Sequence, residues 1–423
     1  MTYEKRGNVR TAFAALGLTV LLGGIGAYAA DSPQWNGINR DKVSLETGLL
    51  KKWDTGGPKL LWKSTGRGEN HATVAVAKGR VYGMGLKGGE EFVWALDVAT
   101  GKEVWATPLA KEIKLNAAQG GYGPRGTPTV EGTKLYALGV GGVLVCLNLA
   151  DGKQVWKQEL VKDFGGQVPT WGYSESPLVD GEKVIVTPGN KDATLVAFAK
   201  STGSTLWKAQ VPEGDAAHYS SAITATVDGV KQYVQFLAGG VVGVKASDGK
   251  FLWRYNRPAN RVANCSSPIV RGNMVFAASG YGTGGGVAKL TKSGDTFDAS
   301  EVYFTKDMQN HHGGVVLVGD YVYGFNDKER GLTCLEFATG KVMWTNKELN
   351  KGSLTVADGM IYARSERGPI ALIEVNPKEY VEHGKFDQPE PSDKQKWAHP
   401  VVANGKLYIS DQDNLFCYDI KGK

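Results

Sequence analysis

Residues 132–160 read GTKLYALGVGGVLVCLNLADGKQVWKQEL, and this stretch decides the fold. Apolar and polar residues alternate through Tyr136, a glycine turn follows at Gly139–Gly142, and a second strand runs through Cys146. An Asp151-Gly152 turn then leads into a third strand carrying Trp156. Period-two alternation broken by glycine turns describes short antiparallel strands, each with one face against a core.

Working outward, the turn and its tryptophan recur. The tryptophan stands four residues after the glycine at Gly101/Trp105, Gly152/Trp156, Gly203/Trp207, Gly249/Trp253 and Gly340/Trp344. From Trp62 onward the steps between tryptophans are 43, 51, 51 and 46 residues, then 91 from Trp253 to Trp344. The long step holds two periods, with a degenerate repeat near Val302-Tyr303-Phe304. A period near 45 with several strands per unit is the signature of a β-propeller. Units starting near Thr73, Pro128, Pro177, Ala222, Pro268, Gly314, Leu354 and Pro400 predict an all-β fold of eight four-stranded blades. The last unit lacks a tryptophan strand, and the orphan Leu60-Leu61-Trp62 supplies it. The ring is then closed by an N-terminal strand in the C-terminal blade, which removes the open sheet edges.

Two stretches break the pattern. Residues 280–305 are glycine-rich and lack the tryptophan, and a wide hairpin loop is expected there. The GYGTGG run within it is poor evidence for phosphate binding, because no helix pattern follows. Residues 376–396 carry proline and mixed charge. Residues 30–58 are polar and turn-rich, with Trp35 and Trp53 as isolated anchors, and read as an extension packing on the propeller, which itself spans 59–423.

Residues 1–29 read as a signal peptide. Lys5, Arg6 and Arg10 precede an apolar small-residue stretch, and Ala27-Tyr28-Ala29 supplies a small-x-small cleavage pattern. With no cysteine near residue 30, the expected product is periplasmic or secreted, not a lipoprotein, and without a membrane span once the signal is removed. The net charge of +6 over 423 residues includes no dense basic run, which argues against nucleic acid. Cys146, Cys334 and Cys417 fall at one strand position of different repeats, too far apart to bridge, and read as small buried apolar residues. With no CxxC or CxxCH, neither a zinc knuckle nor covalent haem is indicated.

The segment from Ala95 to Trp105, ALDVATGKEVW, closely resembles the tryptophan-docking motif of the pyrroloquinoline-quinone (PQQ) repeat family, and the other copies match in part. The resemblance covers about residues 59–423. It implies a girdle in which Trp62, Trp105, Trp156, Trp207, Trp253 and Trp344 dock against neighbouring blades, a structural role. It also implies two functional classes. Quinoprotein dehydrogenases hold PQQ and Ca2+ in a central funnel and oxidise alcohols or sugars; scaffold propellers, such as that of the outer-membrane assembly machinery, bind protein partners without a cofactor.

The lead-ins to the innermost strands converge on the channel. They hold His71, Arg125, Trp171, Glu175, His218, Asn264, His311, His312, Lys351, Trp397 and His399, which includes five of the six histidines. Arg125 and Lys351 could hold a carboxylate, Trp171 or Trp397 could stack on a planar ring, and Glu175 with Asn264 could reach a cation. His312 is the candidate base, since imidazole titrates near neutrality. The competing reading is that such residues only hydrate the channel and cap loose backbone groups. No metal-ligand spacing is present, nor is the Cys-Cys pair of many alcohol-oxidising relatives. The expectation is an exported binding or scaffold protein with an envelope protein partner or a small molecule in its funnel. The alternatives are a PQQ-dependent oxidoreductase and a glycan-binding propeller.

Overall fold

Eight antiparallel sheets follow one another along the computed structural model, which describes residues 30–115 and 123–422. They form an eight-bladed β-propeller. Blade 2, cut from the stretch quoted above, runs from the channel outward as Thr129–Glu131, Lys134–Leu138, Val143–Asn148 and Gln154–Glu159. The other inner strands begin at Ala75, Leu178, Ile223, Ile269, Val315, Gly352 and Val401, each within two residues of the expected unit start. In blade 8 the outer strand is Lys59–Thr65, paired antiparallel with Asn414–Asp419, so the two ends of the chain close the ring. Residues 1–29, expected to be a signal peptide, lie outside the described residues.

The register of every outer strand shifts at one equivalent point. The extra residue is the one before the tryptophan, as with Leu61, Val104, Val155 and Leu206, all exposed. Such a bulge bends the strand and re-aims the next side chain, and here it turns the indole onto the following blade. Trp62, Trp105, Trp156 and Trp344 donate Nε1–H to the carbonyls of Val98, Leu149, Lys200 and Asn376 at 3.2, 3.2, 3.0 and 2.8 Å. The rings of Trp62, Trp105, Trp156 and Trp207 lie against Gly101, Gly152, Gly203 and Gly249, where an added Cβ would come within 2.5–2.8 Å. Those glycines also hold φ between +68° and +75°, so both the turn and the contact require glycine. In the degenerate repeat Tyr303 takes the indole's place, donating to Phe337 O at 3.0 Å beside Gly340.

Three expectations need correction. Trp253 is buried in the core shared by blades 4 and 5 but does not make the carbonyl dock of the others; its Nε1 donates to Gln232 Oε1 at 2.6 Å within its own sheet. Blade 5 supplies no glycine turn at the matching place, and Tyr255 and Arg257 reach across to Glu301 instead. Residues 280–305 are not a wide loop: Gly284–Ser293 and Thr296–Thr305 form a long tight hairpin. Within 376–396, Glu382–Phe386 is the outer strand of blade 7.

The core lies between blades: Tyr136, Cys146 and Trp156 of blade 2 pack with Val184 and Phe198 of blade 3. The four cysteines are free. Three sit directly across the sheet from tyrosines, as Tyr136–Cys146, Tyr323–Cys334 and Tyr408–Cys417. Burial pushes those thiols up to about 11, 12 and 12.

The extension crosses the channel. Ser32 exchanges backbone hydrogen bonds with Val76 at 2.9 and 2.7 Å, and Val130 N donates to Pro33 O at 2.8 Å. Val43–Ser44 adds in parallel to the inner strand of blade 7, making that sheet five-stranded. Arg40, buried, donates to Ser176 O and Pro177 O in blade 3 at 2.8 and 3.1 Å. The segment therefore plugs one end of the channel, while Trp53 is anchored farther out against Tyr362 and Phe386.

Gly101→Ala forces a methyl into Trp62 at the ring-closing strand and strains a positive φ. It is expected to lower unfolding free energy by about 2–4 kcal/mol in denaturant titration. Gly132→Ala, at φ +58° with nothing within 4 Å of an added Cβ, pays only the backbone strain, about 1–2 kcal/mol. Equal effects would remove the docking argument.

Candidate functional site

Above the plug the channel widens into a chamber of about 150 Å³. Each wall comes from a lead-in, because inner strands radiating from one axis bring their preceding residues together. Blade 1 contributes His71, blade 2 Arg125, blade 3 Trp171, blade 4 Tyr219 and blade 5 Cys265. Blade 6 contributes His311 and His312, and blade 8 Trp397 and His399. Tyr281 reaches in from a hairpin of blade 5, and Trp35 of the plug separates the chamber from a smaller cavity beneath, sharing that duty with His399.

The aromatic rings are in mutual contact. Trp397 lies 4.7 Å from His71 and 5.4 Å from His312, centroid to centroid, and His311 is 4.9 Å from His312. Trp35 meets His399 at 4.6 Å, and Tyr219 stands between Trp171 and His218. Trp397 is oriented by Nε1–H donation to Glu366 Oε1 at 2.6 Å. Arg125 links the Trp171 backbone to the Trp397 ring: its Nε donates to Trp171 O at 3.1 Å, and its guanidinium carbon is 5.6 Å from the Trp397 centroid.

Of the eleven residues expected to converge, seven line the chamber: His71, Arg125, Trp171, His311, His312, Trp397 and His399. Four do not. Glu175 is buried to one side, accepting from Thr187 N at 2.8 Å and Oγ1 at 3.0 Å. Asn264 donates to the backbone carbonyls of Leu237 and Ala238, and His218 Nδ1 accepts from Asn264 N. These three behave as caps of loose backbone groups and buried hydroxyls. Lys351 lies in an adjoining cleft, bonded to His311 Nδ1 and 3.5 Å from Asp327. Among the residues that sequence reasoning left out are Trp35, assigned only as an anchor, and Cys265, Tyr219 and Tyr281. The step between strand lead-ins could have found Tyr219 and Cys265; nothing local marks Trp35 or Tyr281.

Burial sets the protonation states. It drives His218 down to about 4 and, with His312 and Lys351 alongside, His311 down to about 2. His312 and His399 are lowered too, chiefly by burial. Cys265 is pushed up to about 12, and Arg125, lowered by burial to about 10, keeps its charge at neutral pH. These imidazoles and the thiol are therefore neutral at pH 7, beside one guanidinium. His399 Nε2 faces the His312 carbonyl at 2.9 Å, so Nε2 carries the hydrogen and Nδ1 accepts from Lys42 Nζ at 2.5 Å. His312, the candidate base, has neither ring nitrogen hydrogen-bonded among the described residues, the Glu366 carboxylate approaching Nε2 only to 3.8 Å.

The donor set does not fit calcium-bound PQQ. Calcium takes six to eight hard oxygen ligands, carboxylates foremost, and the described chamber lining contains no carboxylate. The described residues also include no group of three or more His, Cys, Asp or Glu placed to hold a metal ion.

Fold and girdle together define a PQQ-repeat β-propeller. The family model that matches, over residues 89–346 and 305–380, is described as outer membrane protein assembly factor BamB. The chain belongs to that family. It is 28% identical over 408 residues to the outer membrane protein assembly factor BamB of Xanthomonas campestris, covering 86% of this chain and 84% of the relative. It is 27% identical over 361 residues to that of Burkholderia pseudomallei, covering 83% and 84%. Among solved structures, BamB from Moraxella catarrhalis superposes with a TM-score of 0.60 at 14% identity, over 86% of this chain and 98% of that one. Quinohemoprotein alcohol dehydrogenase from Comamonas testosteroni does so with 0.62 at 12%, over 93% and 81%. At such identities both superpositions report the fold alone.

Burial lowers Lys42 from 10.5 to about 7. Its charged form is thus disfavoured in the folded state, and linkage makes stability fall as pH drops from about 10.5 to about 7 and level off below. Thermal melts across that window should show the slope in the native protein and a shallower one in Lys42→Met. Parallel curves would mean that Lys42 is not buried as described.

Proposed function

We propose that the protein is a binding scaffold of outer-membrane protein assembly, working outside the cytoplasm through a protein partner. The observation that carries this reading is the family match together with relatives, named as assembly factors, that align over more than four-fifths of both chains. The chamber's donor set, unsuited to calcium and a quinone, favours it over the oxidoreductase reading. Among the described residues no helix is long and apolar enough to cross a membrane.

Export fits the plug. Cleavage after Ala29 would give the chain a new α-ammonium at Ala30. Its nitrogen already lies 2.9 Å from Glu46 Oε1, and Glu46 Oε2 accepts from Gly405 N at 2.8 Å. Glu46 is only 2% exposed, so processing would place a charge partner on a buried carboxylate and tie the plug to blade 8. N-terminal sequencing of the exported protein should read Ala-Asp-Ser. Glu46→Gln should cost about 1–3 kcal/mol of stability, and an unprocessed or differently cut product would remove this pairing.

The partner is tested by cross-linking in intact cells followed by purification of the tagged full-length protein. Components that insert outer-membrane proteins should be recovered, and deletion of the gene should lower outer-membrane protein levels. Dye reduction by alcohols or sugars in the presence of PQQ and Ca2+, without such partners, would overturn the scaffold reading.

A further inference from the structure

The chamber is built for more than hydration, and three features of its wall say so independently. Tyr281 adopts φ +55° and is nearly half exposed. A bulky side chain in the left-handed region is strained, and Gly280 and Gly282 on either side could have carried the turn. The strain sets the phenol at the chamber, edge-on to His311 at 4.7 Å. His312 is the second feature. Among the described residues neither buried ring nitrogen has a hydrogen bond; the Glu366 carboxylate approaches Nε2 at 3.8 Å, an ion-pair contact beyond hydrogen-bond distance. A buried imidazole with an unused N–H at the edge of a cavity is a donor awaiting an acceptor. The third is Arg125, whose guanidinium carbon lies 5.6 Å from the Trp397 ring centroid while its Nε donates to the Trp171 backbone carbonyl, in a described lining that has no carboxylate. Glu69, whose field also reaches Arg125, is not part of that lining.

Flat apolar faces, hydrogen-bond donors and one fixed positive charge select a ligand that is planar, acceptor-bearing and anionic. Size narrows it further. A cavity of about 150 Å³ accommodates a benzene-sized molecule. We propose that the chamber is a binding site for a small aromatic monocarboxylate, with the ring against Trp397 and Trp171 and the carboxylate shared by Arg125 and His312. This binding rests on the chamber's own lining and is separate from the scaffold function.

The test is titration calorimetry on the purified full-length protein with benzoate, benzyl alcohol and benzylammonium, three probes of one shape and three charges. Benzoate should bind at one site, at least about tenfold more tightly than benzyl alcohol, the margin expected of one charge-assisted hydrogen bond; benzylammonium should give no saturable heat. Arg125→Gln should bring benzoate down to the level of the alcohol. Tyr281→Gly, which removes both the phenol and the Cβ strain at φ +55° and should fold at least as stably, should weaken benzoate several-fold with its melting temperature unchanged or raised. Equal binding of the three probes, or no saturation by any of them at millimolar concentration, overturns the proposal. So does a folded Arg125→Gln that keeps the preference for the acid. The charge series on the native protein decides the matter even if the arginine variant fails to fold, and none of these outcomes touches the partner experiment.

Discussion

One contact holds the molecule in its shape: an indole laid on a left-handed glycine of the next blade. Neither half suffices alone. The glycine at φ near +70° turns the chain between the third and fourth strands and leaves no Cβ in the indole's way. The bulge one residue before the indole turns it out of its own sheet. Because each interface uses the parts of two successive repeats, the ring stands only when the last blade meets the first, which Trp62 and Gly101 bring about. The inner strands are then fixed radially, and their lead-ins have nowhere to point but the axis.

The axis of a wide ring is a hole lined with backbone, and an unfilled one would leave polar groups without partners. The chain fills one end with its own residues 30–58. Arg40 satisfies two carbonyls of blade 3, and Lys42 reaches Leu354 O and His399. Burying two basic side chains is costly unless each is hydrogen-bonded, and here each makes at least two hydrogen bonds. Trp35, standing on the inner side of this plug, turns an open channel into a chamber with a floor.

The spacing of glycine and tryptophan made the blades legible, because both ends of that signal lie within five residues of each other and reflect local geometry. Trp253 shows the limit. Its motif is intact, but docking depends on a partner turn about 45 residues on, and blade 5 replaces that turn with a long hairpin. The chamber was legible at the level of lead-ins and not of side chains. Irregular backbone has no period, so Glu175, Asn264 and His218 could not be told apart from His71 or Trp397 by spacing, although the former cap neighbours and the latter face the cavity. Trp35 was out of reach for another reason: a turn-rich segment carries no signal of where it docks. Tyr281 could be recognised only by its φ.

A cluster of histidines invites a metal, and the physical chemistry of this one points elsewhere. Metal-binding imidazoles need their free nitrogens aimed at one point and their others anchored. Here His399 spends both nitrogens on Lys42 and a carbonyl, His311 gives Nδ1 to Lys351, and His312 anchors neither. What the rings share is tilted contact with an indole or edge-on contact with a phenol, which is packing rather than ligation. Kept neutral by burial, they behave as aromatic walls that also carry N–H groups, and Arg125 is left as the charge that gives the space its polarity. The repeated outer parts of the blades are nearly interchangeable and serve the ring. The lead-ins differ from blade to blade, and it is their differences, gathered at one point by symmetry, that make an asymmetric pocket from a symmetric wall.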